Sequence, residues 1–478
     1  MSMAEARVSQ QTGKQDTSQS MLKWVWCSLL LGGLLGLAFL PLDLQVDGRL
    51  SLITFIVAIY CWTATSLPTS WVAVAALLFL VMSGATNQNV LFSSLSSDVI
   101  WLMIGAFMIG AAMQKTGLAA RVTLLLTSRA KTVPGLFLLL TLVIQFLTLL
   151  IPSTSGRASV LIPIFRDLSE EVQHEKVTKG LSLLIPTIIL IATSSTLLGA
   201  SSHFIVNNYL RSLGEEEISF LTWIVWGAPF ALVASMVACF FIITRFLDRE
   251  ARGISLAPKQ MAPAGDLTQK ESITSMVLGA MVLLWTTESI HGIDMVTVTI
   301  YGALLLTAPK VGSLPWKEGI QSVPWNLILF VAAAIALGDS LTETGAADWL
   351  VGNLLAMTKS FLFQSEFMTL LLVTLICLTA HLYLPSHTTR AIIFTPPLLS
   401  LGMAEGIDVV AMSFLMMVGM NFCLTFPVSS KALMIYFDEN KSFRADDLRR
   451  LSQVMSIIYL GLMILFYYTY WEWTGLTL

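Results

Sequence analysis

Charge is scarce in this 478-residue sequence: Asp, Glu, Lys and Arg make up 12% of it, against 55% hydrophobic residues. With a mean hydropathy of +0.77, too little polar surface remains to cover a water-soluble domain of this size. Also lacking is any long polar segment able to fold as a soluble module. The longest are residues 1–19 and 248–272, and the second, with Pro258, Pro263 and Gly265, reads as a linker. Cys27, Cys61, Cys239, Cys377 and Cys423 sit in apolar runs without the paired spacing of a metal or dithiol site, which makes them packing residues. The N-terminal stretch carries Glu5 and Asp16, unlike a cleaved signal or an acid-poor transit peptide, and reads as a disordered cytoplasmic tail over residues 1–22. No His-Glu metal spacing or carboxylate pair stands at a span centre, which argues against an intramembrane enzyme. A net charge of -3 argues against a nucleic-acid partner.

What the sequence does have is apolar runs long enough to cross a hydrocarbon core of about 30 Å. They fall near 24–42, 50–67, 69–85, 98–114, 183–207, 219–246, 273–290, 294–308, 324–341, 408–437 and 451–473. Residues 134–165 and 366–403 are apolar too. Each is broken by a cluster of Pro, Ser, Thr and Arg, and so reads as a re-entrant hairpin. The expected fold class is therefore an all-α integral membrane protein, with about eleven transmembrane helices plus two re-entrant helical hairpins. With the N-terminus inside, 21 of the 27 cations fall on the cytoplasmic side. Arg49, Arg211 and Lys359 fall outside, and Arg157, Arg390 and Lys431 lie at membrane depth. The excess of inside cations selects this orientation, with the C-terminus outside.

An internal repeat is the most informative pattern. Pro152, Ser153, Arg157, Ala158 and Pro163 are matched by Pro385, Ser386, Arg390, Ala391 and Pro396, at an offset of 386 − 153 = 233. Trp101 pairs with Trp325, Thr116-Gly117 with Thr344-Gly345, and Ser201-Ser202 with Ser429-Ser430. The chain then divides into a first span (23–48), repeat 1 (49–247, inner hairpin 134–165), a linker (248–271) and repeat 2 (272–478, outer hairpin 366–403). Five full crossings per repeat make the second half enter inverted, as in secondary transporters.

The chemistry is expected at the breaks. A half-helix N-terminus offers unpaired N–H groups and partial positive charge, enough to hold a carboxylate without a full counter-ion. Ser153, Thr154, Ser155, Gly156 and Arg157 form one tip, and Ser386, His387, Thr388, Thr389 and Arg390 the other. Two interrupted spans follow these tips. One carries Thr196, Gly199, Ser201 and Ser202, and the other Pro427, Val428, Ser429, Ser430 and Lys431. Any single Ser or Thr in a membrane helix is ordinarily a packing residue, but so many at repeat-equivalent breaks read as a substrate-binding set. An Arg in the same slot of two inverted repeats reads as functional, whereas Lys431 can equally snorkel to headgroups. His381, His174 and His291 read as packing or surface residues, His203 stays open, and Asp98, Asp339 and Glu343 read as interfacial.

These residues resemble the divalent anion/sodium symporter family over nearly the whole chain after the tail. The resemblance is carried by Trp101 to Ala106, Lys115-Thr116-Gly117-Leu118, the two tip motifs and Gly199-Ala200-Ser201-Ser202. It implies a homodimer in which a transport domain moves against a scaffold, carrying di- or tricarboxylates or sulfate. The family's Ser-Asn-Thr tip signature falls on Ser153-Thr154-Ser155 and Ser386-His387-Thr388, and its hydroxyl four residues earlier on Leu149 and Leu382. With those sodium-coordinating groups missing, the tips are similar to those of citrate and tartrate exchangers. The expectation is a secondary carrier of succinate-, malate-, tartrate- or citrate-type anions in a bacterial cytoplasmic (inner) membrane, working by sodium-independent exchange with no cofactor or metal. Sodium- or proton-coupled symport of dicarboxylate or sulfate is the alternative within the class, and an anion channel the alternative outside it.

Overall fold

The computed structural model describes residues 44–478 except 152, 257–265, 348, 351, 354–364, 385, 440 and 441. The expected tail, the span at 24–42, the repeat-motif residues Pro152 and Pro385, and Lys359 lie outside the described residues. The main helices are α1 (Val46–Ala64), α2 (Thr69–Ser83), α3 (Asp98–Thr116), α4 (Leu118–Thr127), α5 (Val133–Thr148) and α6 (Thr154–Val172). They continue with α7 (Glu175–Ala192), α8 (Ser201–Ser212), α9 (Phe220–Phe246), α10 (Gln269–Thr286), α11 (Met295–Leu306) and α12 (Trp325–Glu343). The last are α13 (Glu366–Thr379), α14 (His387–Ala404), α15 (Val409–Asn421), α16 (Lys431–Asp438) and α17 (Ala445–Phe466). Among the described residues there is no strand, so the chain is an all-α membrane protein, and each run expected from residue 50 onward falls on helix.

Local chemistry sets the ends. Thr132, Ser153, Ser219, Thr268, Asp294, Ser365, Ser386, Asp408 and Ser430 each cap a helix start by accepting a backbone N–H. Gly84 and Gly117 close α2 and α3 at φ 79° and 76°, where a side chain would be strained.

The described residues divide into two compact units. The smaller takes in the chain up to Leu95 with Leu329–Asn353, and the larger Ser96–Ile328 with Leu354–Leu478. In the smaller, the Ser51 and Ser340 hydroxyls meet at 3.2 Å and Trp62 stands edge-on to Phe330. In the larger, α7 is the central element, with every residue from Gly180 through the following break to Ala200 buried. Helices gain little from hydrophobic association in lipid, so their contacts rely on small residues that allow close approach. Gly105 of α3 sits against Thr299 of α11, and a Cβ on Gly302 would collide with the Met281 thioether of α10.

Both interrupted spans are present. After α7 come two 3-10 turns, Thr193–Ser195 and Leu197–Gly199, with Thr196 and Ala200 extended. After α15 comes one, Pro427–Ser429, with Phe426 and Ser430 extended. Ala200 (φ -151°, ψ 152°) and Ser430 (φ -153°, ψ 142°) are geometric equivalents. This corrects the register of the repeat at the breaks: the backbone pairs Leu197–Gly199 with Pro427–Ser429, an offset of 427 − 197 = 230, so Ser201 corresponds to Lys431 rather than to Ser429.

Candidate anion site

Two helix starts define the hairpin tips. At the first, Ser153 caps α6 by accepting the Gly156 N–H at 3.2 Å and lies 3.0 Å from the Ser155 hydroxyl. Thr154, Ser155 and Gly156 are half-buried beside it. At the second, Ser386 caps α14 by accepting the Thr389 N–H at 3.3 Å, and Thr388 and Thr389 are buried.

The first break is packed against the first tip. Arg157 is fully buried and donates to three oxygens: the Thr148 hydroxyl, Thr193 Oγ1 at 3.1 Å and Gly199 O at 2.8 Å. Gly199 has to be glycine, because a Cβ there would collide with Thr193 O. Gly227 of α9 faces the same constraint against Ser194 O. Thr196 accepts the Leu198 N–H, closing the second turn.

From this break α8 starts at Ser201 behind Ala200, which offers no side-chain cap; Ala200 O takes the His203 N–H at 3.2 Å, and the N–H groups of Ser201 and Ser202 lie ahead of the helix's own bonding. The start points at the second tip, since Ser201 Oγ and Thr388 Oγ1 are 3.3 Å apart. His387 is half-buried, places Nε2 3.0 Å from Cys423 Sγ and has no partner for Nδ1 among the described residues. The Ser201–Thr388 contact brings the first break to the second tip, and Arg157 ties that break to the first tip.

Arg390 occupies the same slot as Arg157 in different surroundings. It is fully buried, yet Nε, Nη1 and Nη2 find no oxygen or nitrogen acceptor among the described residues. The polar groups beside it are the thiols of Cys423 and Cys377. No carboxylate of the described residues forms an ion pair with either arginine. Two buried cations without an acidic partner make the region strongly anion-seeking.

The remaining expected residues separate. Ser202 is buried behind Ser201, and Ser429 is buried with its hydroxyl unpartnered among the described residues. Ser430 caps α16 by accepting the Ala432 N–H, and Pro427 is half-buried. Val428 is 57% exposed and Lys431 is exposed at the start of α16, so these two stand apart from the buried cluster. Sequence reasoning missed Asn421, which bonds His203 and Ser194 in the core. Its signal was a lone amide closing an otherwise apolar helix.

No group of three or more His, Cys, Asp and Glu among the described residues is placed to hold a metal ion. The fold is similar to that of the YdaH transporter of Alcanivorax borkumensis, with a TM-score of 0.60 at 12% identity over 89% of this chain and 99% of that one. In sequence the chain is 24% identical to the sodium-dependent dicarboxylate transporter SdcS of Staphylococcus saprophyticus, over 86% of this chain and 85% of the relative. It is 22% identical to the citrate/succinate antiporter of Escherichia coli K12, over 77% and 78%. The family described as the sodium:sulfate symporter transmembrane region matches residues 22–477. The chain therefore belongs to that family, the divalent anion/sodium symporters, and is a membrane transporter rather than an enzyme.

Proposed function

We propose that the chain exchanges small di- or tricarboxylates across a bacterial inner membrane without sodium, as a homodimer with its N-terminus inside, by elevator-like movement of the site. The observation that carries this reading is the pair of fully buried guanidiniums, Arg157 and Arg390, in one slot of two tips and without an acidic partner. The names of the relatives support a carboxylate substrate but divide on coupling, since one is a sodium-dependent transporter and the other an antiporter. The first tip favours antiport. Thr148, Thr193 and Gly199 present the kind of neutral oxygens a sodium ion would use, and Arg157 already holds them.

In this reading one carboxylate takes Arg390 together with the hydroxyls of Ser201 and Thr388, the free N–H groups at the start of α8 and Nδ1 of His387. The other lies toward Ser153, Ser155 and Arg157. An Arg does not shed its charge, so an empty site would have to move with two uncompensated cations in a low-dielectric setting. A loaded site would not, and return requires another anion.

Liposomes of purified protein preloaded with unlabelled succinate or citrate should take up labelled anion in sodium-free buffer, and empty liposomes should take up at least tenfold less. Robust uptake into empty liposomes driven by an inward sodium gradient would overturn exchange and favour symport.

A further inference from the structure

We propose that Asn421 is a positioning residue for the anion site: it reaches from the second repeat to fix the first break, and so sets where the start of α8 faces α14. The inference rests on the tips being the anion site. Asn421 closes α15 and is 1% exposed. Its Nδ2 lies 3.0 Å from Ser194 Oγ, inside the first break, and 3.0 Å from Nε2 of His203 on α8.

The histidine settles which way the amide points. Nδ1 of His203 faces two carbonyl oxygens, Thr196 O at 3.1 Å and Leu197 O at 3.3 Å. A ring nitrogen facing two acceptors must carry the proton, so in the neutral imidazole Nε2 is the acceptor, and Asn421 donates both amide protons, one to His203 and one to Ser194. The His203 ring stacks on Trp223 at 4.4 Å, and Trp223 Nε1 donates to Ser194 O at 3.1 Å. Ser194 also lies beside the hydroxyl of Tyr459, itself bonded to Val418 O at 2.9 Å.

Residues 194–197 are thus pinned at one end by Asn421 and Trp223, while Arg157 holds Gly199 O at the other. One residue further the chain enters α8, whose Ser201 meets Thr388. Asn421 need not touch the anion to govern it. Without the amide, His203 Nε2 loses its donor in a dry interior and the break has one fewer fixed point. The donors of α8 then lose their register with those of α14. The loss should fall on affinity, because movement of an already loaded site does not use this bond.

The test uses full-length protein in detergent and in preloaded liposomes, with succinate and citrate as probes. Asn421→Ala should weaken the anion-dependent rise in melting temperature and raise the KM of exchange by tenfold or more, with the maximal rate within twofold of the parent. Asn421→Ser, which keeps one short donor, should fall between. A folded Asn421→Ala with parental KM, or, should that variant not fold, an Asn421→Ser with parental KM, would overturn the proposal. If the parent itself shows no anion-dependent shift with any di- or tricarboxylate, the underlying site reading fails, and this inference with it.

Discussion

The two tips carry the same motif and hold their arginines differently. Arg157 finds Thr148 nine positions before it and Thr193 in the break after it. The corresponding positions around Arg390 are His381, again nine before, and Cys423, which pairs with Thr193 at the offset of 230 given by the break geometry. Neither can serve. His381 is turned away, with Nδ1 2.7 Å from Leu378 O and Nε2 2.7 Å from Thr425 Oγ1, which in turn meets Ser452 Oγ at 2.6 Å. Cys423 offers only a thiol, a weak partner, which lies beside Arg390 and 3.0 Å from His387 Nε2. One tip thus has a guanidinium bolted into the protein, and the other keeps one in reserve. The motif keeps the arginine at both tips, and the residues around it differ.

This contrast can be broken most severely at Arg390. Arg390→Gln should abolish exchange, by a hundredfold or more, while leaving thermal stability equal or raised, because it removes a buried cation that meets only thiols and no oxygen acceptor among the described residues. A variant that melts well below the parent would show that this guanidinium is structural. Arg157→Gln should behave in the opposite sense. It removes three donations to buried oxygens, each worth about 1.5–3 kcal/mol as a charge-assisted bond, so folded yield and melting temperature should drop before any transport is measured. Equal stability in Arg157→Gln would end the distinction between the tips.

The comparison sharpens if the second tip is given the acceptors of the first. The double variant His381→Thr with Cys423→Thr should stabilise the anion-free protein and weaken carboxylate affinity about tenfold, on the order of 1.4 kcal/mol, since Arg390 would already be satisfied. Ligand titrations followed by thermal shift would read both changes together, and tighter anion binding would refute the idea of a reserved cation.

The smallest effect is expected where α6 meets the end of α16. Arg166 of α6 donates to Glu439, just past α16, at 2.6 and 2.9 Å, and this hydrogen-bonded pairing holds the Glu439 carboxyl below the usual glutamate range. A lowered folded-state value means stability present above the ordinary glutamate pKa and lost as pH falls through the lower one. Arg166→Gln should therefore lower the melting temperature only slightly near neutral pH, by roughly 1 °C for so exposed a pair, and the difference should vanish in acid. Melting curves at two pH values would check it, and a difference that persists in acid would assign it to packing.

Much of this protein was legible in one dimension. Long apolar runs have few solutions in lipid other than helices, so the elements from residue 50 onward could be placed from composition, and Ser153 and Ser386 were readable as helix starts because each heads the same motif with Arg four residues on. The register of the repeat at the breaks was less accessible. Matching Ser201-Ser202 to Ser429-Ser430 by letter misses the backbone equivalence of Ala200 with Ser430, which is a matter of φ and ψ.

The sequence alone determined that the chain lives in a membrane, that one motif recurs in its two halves, and that each copy carries one cation to a helix start, because hydropathy and motif are local properties. Only the tertiary structure decided which acceptors those cations meet. Thr193 lies 36 residues from Arg157, and Asn421 lies 227 from Ser194. Whether a buried donor is satisfied depends on acceptors brought to it by packing, and no local pattern encodes that distance.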